Sequence, residues 1–180
     1  MAPARTAGGV ALAAAQPAEV ERWLAGLGVG VVERVERDGI VAWDVVLDGR
    51  RRFDLRTTVI RDPALGLICW GQLAPPIGDG LRRAYRTLLR WNDEFPFAKF
   101  SLTEDGRPII AAEIPERLLS EDELGLGLAR LAGIADRLLP ETAGWLWIGG
   151  RPPAGYAGRV GRNPGLLARF AGRLTELLGP

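Results

Sequence analysis

Three groupings of side chains in this sequence could carry chemistry: carboxylate clusters, a run of arginines, and aromatic residues gathered on either side of that run. The carboxylates come as Asp93/Glu94, Glu104/Asp105 and Glu121/Asp122/Glu123, the residue types that general acid–base work or an oxygen-ligated Mg²⁺ or Ca²⁺ requires. Each has a structural reading as well. The first pair follows a helical segment, the second makes a turn, and the third opens a helix where the dipole favours negative charge. No loop has the Asp-x-Asp-x-Asp-Gly calcium pattern, although an oxygen-only site stays open on these residues. Histidine is absent, which removes the commonest general base and zinc ligand and with them any Ser-His-Asp or Cys-His arrangement. Gly26-Leu27-Gly28-Val29-Gly30 looks like a phosphate loop, but it lies after a helix and before a strand, the reverse of the order that aims backbone donors at a phosphate. It reads as helix termination. The expectation is a protein that is no enzyme, with no catalytic residue, no cofactor and no metal.

Recognition is the chemistry left. Arg82, Arg83, Arg86 and Arg90 lie on one helical segment and, with Arg50, Arg51 and Arg52, could meet a phosphate backbone or an acidic partner. A solvated helix face is the plainer reading. The aromatics Trp91, Phe95, Phe97 and Phe100, with Trp145 and Trp147, could anchor an interface or complete the domain's own core. The candidate partner-binding residues are therefore Arg82, Arg83, Arg86, Arg90, Trp91, Phe95, Phe97, Trp145 and Trp147. With 23 Lys+Arg against 22 Asp+Glu, the net charge of +1 supplies no global field toward nucleic acid or an anionic membrane. Lys99 is the sole lysine, an arginine bias that suits genome composition as well as function.

These residues need a scaffold, and hydrophobic periodicity outlines one. A helix is expected over Pro17 to Leu27, with Val20, Trp23, Leu24 and Leu27 on one face and Gly28 as its left-handed cap. Strands follow at Val31 to Arg37, Ile40 to Leu47, Arg51 to Ile60 and Leu65 to Gln72, an antiparallel meander. Pairing Leu47 with Phe53 would set Asp44 opposite Arg56 and leave a three-residue loop, Gly49-Arg50-Arg51. A second helix from about Asp79 to Trp91 would bury Leu81, Ala84, Tyr85, Leu88 and Leu89. A hairpin turning through Glu104-Asp105-Gly106 leads to a third helix, opened by the Ser120/Glu123 capping box and the Leu119/Leu124 staple. Beyond Pro140 the glycines and prolines predict an irregular linker. A last helix then starts at Asn163-Pro164 and carries Leu166, Leu167, Phe170, Leu174, Leu177 and Leu178.

The stretch Leu81 to Ile114 is the most distinctive. A helix ending near Trp91-Asn92-Asp93-Glu94-Phe95-Pro96, then Phe97-Ala98-Lys99-Phe100-Ser101-Leu102 and a Gly-turned return strand, resembles the YbjN family of bacterial proteins over roughly residues 17 to 139. That resemblance implies an α+β fold like that of type III secretion chaperones: an antiparallel sheet, meander plus hairpin, with helices packed on it in the order α-β-β-β(-β)-α-β-β-α, plus a C-terminal helix. The expected organisation is a flexible leader at 1–16, the α+β domain at 17–140 and an extension at 141–180.

The leader has only Val10 and Leu12 as sizeable apolar side chains, weak for a signal sequence, and no apolar run is long enough for a membrane helix. The lone cysteine, Cys69, lies on an apolar strand and excludes an internal disulfide. A cytoplasmic protein without membrane contact is expected. By resemblance, its function is that of a noncatalytic protein-binding or chaperone-like module, with a protein partner or self-association, possible homodimer included, and an edge strand or helix surface as the means. The alternatives are nucleic-acid or acidic-partner binding through the arginine face, and a small ligand-binding domain or enzyme. The C-terminal extension could occupy the groove that a partner would use.

Overall fold

The computed structural model describes residues 15–78 and 81–178, without the side chains of 81–83 and 176–178. The expected leader up to residue 14, the expected helix start at Asp79 and the side chains of Leu81, Arg82, Arg83, Leu177 and Leu178 therefore lie outside the described residues.

Helix α1 (Pro17–Gly26) opens with proline in its first turn and stops at Gly28, whose φ of 69° no β-carbon opposes. Strands β1 (Val31–Arg37), β2 (Ile40–Leu47), β3 (Leu55–Asp62) and β4 (Gly66–Gln72) form the meander, and β5 (Lys99–Leu102) and β6 (Pro108–Pro115) the second hairpin. All pairs are antiparallel, in the order β1-β2-β3-β4-β6-β5. Helices α2 (Leu81–Glu94) and α3 (Glu121–Arg137), then α4 (Leu139–Leu146), α5 (Pro164–Arg169) and α6 (Ala171–Leu178), complete an α+β architecture.

The sheet's inner face follows from period-two alternation. Trp43, Val45 and Leu47 of β2, Leu55 and Val59 of β3, Leu67 and Cys69 of β4, and Ile110 and Ala112 of β6 are buried. Against them lies the α3 stripe Leu124, Leu128, Leu131 and Ala135, with Val20 and Leu24 of α1 in the same cluster. Ser120 caps α3 by accepting the Glu123 amide at 3.1 Å. On the outer face Ile60, Ile68 and Trp70 are only half-buried.

Several expectations are corrected. The β2–β3 register is slid by two residues, so Leu47 pairs with Leu55 and Asp44 with Thr58, whose hydroxyl donates to it at 2.6 Å. The loop between them grows because Asp136 of α3 takes its amides: Arg50, Arg51 and Arg52 donate to that carboxylate at 2.6, 2.8 and 2.6 Å. Gly49 is needed there, since a β-carbon would come within 2.3 Å of Asp136 Oδ1. An anchor of three charge-assisted bonds outweighs one cross-strand charge pair of at most about 1 kcal/mol.

Second, α2 is rotated from its expected facing and runs on to Glu94. Ala84, Leu88, Trp91 and Phe95 turn inward, while Tyr85 and Leu89 are 51% and 69% exposed. Third, the chain after Pro140 is not a linker at once: proline suits a first helical turn, and α4 starts there. The last helix is broken at Phe170, which α3 receives at Gly125, where a β-carbon would meet its ring at 2.6 Å. Asn163 makes no side-chain cap bond. Its amide accepts from Asp48 N–H and donates to Gly28 O, at 3.1 and 3.0 Å. Leu166, Leu167 and Phe170 join the main core.

Candidate partner-binding surfaces

A sheet has two edges, each a row of backbone groups that something must pair. At β5 the pairing is done by a side chain. Asn92 of α2 donates its amide to Phe100 O at 3.0 Å and accepts Phe100 N–H at 2.7 Å, much as a neighbouring strand would. These two bonds help to set the rotation of α2. At the opposite edge all seven residues of β1 are exposed, Val32 and Val35 at 71% and 54%. Glu21 of α1 tethers it to the helical layer: its Oε1 accepts from Arg34 Nε at 3.0 Å and from Trp43 Nε1 of the neighbouring β2 at 2.9 Å.

A groove of about 700 Å³ runs between α3 and the β5–β6 hairpin and is lined by Phe97, Ala98, Ile114, Leu118, Leu126 and Arg130, with Lys99, Glu113, Glu123 and Arg173 also along it. Phe97 is 73% exposed at φ 62°, a left-handed backbone in which a bulky residue is an outlier. Pro96 precedes it in a turn where glycine or asparagine would carry that angle without strain. Arg130 holds it from below, with its guanidinium 5.4 Å from the ring centre and Nη1 donating to Phe97 O at 3.4 Å. Burial pulls the Arg130 pKa below its ordinary value, and its Nε is buried without a protein partner. Sequence reasoning missed Arg130. The available signal was that it is the one charged residue between Leu124 and Ile134.

The other nominated residues are spread out. Trp91 and Phe95 are buried at 0% and 3% exposure, with Phe100 5.3 and 5.9 Å from their rings. Trp145 packs on Trp91 at 5.6 Å, and Trp147 meets Tyr156 edge-on at 4.9 Å. Arg86 is exposed, whereas Arg90 pairs with Glu94 at 3.6 Å and with Glu141. Of the arginines expected to widen a basic surface, Arg52 is buried and donates to Phe53 O, and Arg51 donates to Asp136 O at 2.9 Å.

A second pocket of about 420 Å³ lies where the C-terminal segment crosses the β2–β3 loop, lined by Phe53, Leu139, Trp147 and Tyr156 with Arg50 and Arg51 beside them. No carboxylate lines it. Next to it Asp48, fully buried, accepts from Asp54 N–H at 2.8 Å and from Arg162. The hydrogen bond from Arg159, aided by Arg162, holds the Asp54 carboxyl well below the usual range, at about 2. Burial pushes the Cys69 thiol up to about 12. Among the described residues no group of three or more Cys, Asp or Glu gathers as a metal site, and no helix is long and apolar enough to cross a membrane.

An antiparallel sheet roofed by helices, one edge plugged by an amide and one groove holding a strained aromatic, has the features of a binding module. The chain belongs to the YbjN family, whose model, described as "Putative bacterial sensory transduction regulator", matches residues 16–141. No curated protein matches it significantly.

Proposed function

We propose that the protein is a noncatalytic protein-binding module, chaperone-like in its use of a groove, which takes a segment of a protein partner between α3 and the β5–β6 hairpin. The observation that carries this reading is Phe97: exposed, held in a costly backbone conformation and braced by a half-buried arginine. Strain of that kind, of order 1–3 kcal/mol, persists where the surroundings impose it and gathers at binding sites. Beside it lie apolar Leu118, Leu126 and Ile114 for a side chain to fill, and charges of both signs that suit a polypeptide better than a phosphate backbone. A regulator acting by contact needs no more chemistry than this. We place it in the cytoplasm, where the lone thiol of Cys69, buried on β4, needs no partner.

The test separates binding from folding. A photo-crosslinking phenylalanine analogue at Phe97 should capture a defined partner in cells that the same analogue at exposed Arg56 does not. With that partner purified, Phe97→Ala should weaken binding at least about tenfold, as expected of an aromatic anchor. Phe97→Gly should weaken it equally while melting above Phe97→Ala, because glycine removes about 1 kcal/mol of backbone strain. Identical capture at both positions, or an unchanged affinity in Phe97→Ala, would contradict the proposal.

A further inference from the structure

Among the described residues no strand pairs the outer edge of β1, and this edge carries a charge pattern complementary to itself. Asp38 and Gly39, at φ 53° and 79°, make the two-residue turn of a type I′ hairpin, so Arg37 and Ile40, which face each other across it, are a hydrogen-bonded pair. Alternation back along the strand turns the backbone groups of Val35 and Glu33 to β2 and those of Arg34 and Glu36 outward, to the free edge. The regular stretch is Glu33-Arg34-Val35-Glu36-Arg37, bounded by this turn and by the bulge between Val31 and Glu33.

Two such edges pairing antiparallel about a two-fold axis must set outward groups against outward groups, so the axis passes through a residue and not between residues. Centring on Glu33, Arg34, Glu36 or Arg37 sets that charge against its own copy, which is unfavourable. Centring on Val35 sets Glu33 opposite Arg37 and Arg34 opposite Glu36, each twice by symmetry, with valine against valine at the axis. This register also answers a conflict within one chain: Glu33 faces Asp44 across β1–β2 and forms no ion pair among the described residues. Arg37 of a second copy would stand beside it.

We infer that β1 pairs antiparallel with β1 of a second copy about an axis through Val35, joining two six-stranded sheets into one. The other edge is closed to such pairing by Asn92. The inference does not rest on the Phe97 groove, which lies at the far side of the sheet order.

Sedimentation equilibrium on the full chain tests it. The wild-type chain should form a reversible dimer, and Glu33→Arg and Arg37→Glu should each weaken it at least about tenfold, since each opposes two like pairs. An equimolar mixture of these two variants should recover dimers, because the reversed charge at position 33 of one chain then meets the opposite reversed charge at position 37 of the other. Val35→Cys should form a disulfide-linked dimer on mild oxidation, as a non-hydrogen-bonded pair with Cα atoms about 4.5 Å apart permits. Glu33→Cys, far from its own copy in this register, should not. A wild-type chain that stays monomeric at hundreds of micromolar, a dimer indifferent to both reversals, no recovery on mixing, or an unlinked Val35→Cys would each overturn the inference.

Discussion

The two edges of the sheet face the same physical problem and meet it differently. At β5 a neutral amide, Asn92, occupies the hydrogen-bonding positions of Phe100 and ties them to α2. At β1 the row is left bare among the described residues and lettered with alternating charge, Glu33, Arg34, Glu36 and Arg37. Charged side chains commonly guard an edge against indiscriminate pairing. Here their order does more, because it admits one register and penalises the others. An edge closed by a side chain is a folding feature, and an edge left open with a self-complementary pattern is a recognition feature.

The comparison breaks most directly at Asn92. Asn92→Ala strands the Phe100 N–H and C=O in partly buried surroundings, and should cost about 2–3 kcal/mol in urea denaturation. It should also make the β5 edge prone to association. The matching change on the other edge, Arg34→Ala, removes two exposed ion pairs, with Glu21 and with Glu36, and should leave the urea midpoint nearly unchanged. Equal costs at the two positions would mean that the edges are not distinguished as described.

A smaller effect separates a seal made by an amide from one made by charge. The β2–β3 loop is held in part by Asp54, whose carboxyl titrates near 2 in the folded chain against 3.8 ordinarily. A depressed folded value stabilises the fold above about pH 4, and that contribution is lost as pH falls toward about 2. The melting temperature of the wild type should therefore drop more steeply through that window than that of Asp54→Asn. The side chain is about half exposed, so the difference should be modest. Parallel pH profiles would remove Asp54 from the account of the loop.

Much of this architecture was legible in the residues. The helix and strand order as far as α3, the Ser120 cap and the α3 stripe are local signals, and they agree with the structure. What stayed illegible depends on contacts far apart in the chain. The β2–β3 register is decided by Asp136, 84 or more positions away, and Asn163 spends its amide on Asp48 and Gly28 instead of its own helix. The facing of α2 could not be read from its apolar spacing, because Tyr85 and Leu89 fit a helical stripe as well as Ala84 and Leu88 do. The tie from Asn92 to Phe100 and the burial of Trp91 turn the helix instead. At the groove, Phe97 was visible as an aromatic, but its backbone strain and its brace by Arg130 were not.

Amide hydrogen exchange, read residue by residue over a range of protein concentrations, tests the contrast between the edges most directly. The account predicts that the Phe100 amide exchanges slowly at every concentration, while the Arg34 and Glu36 amides exchange fast when dilute and become protected together as concentration rises. Protection at Arg34 and Glu36 that is independent of concentration, or a Phe100 amide as unprotected as theirs, would contradict it.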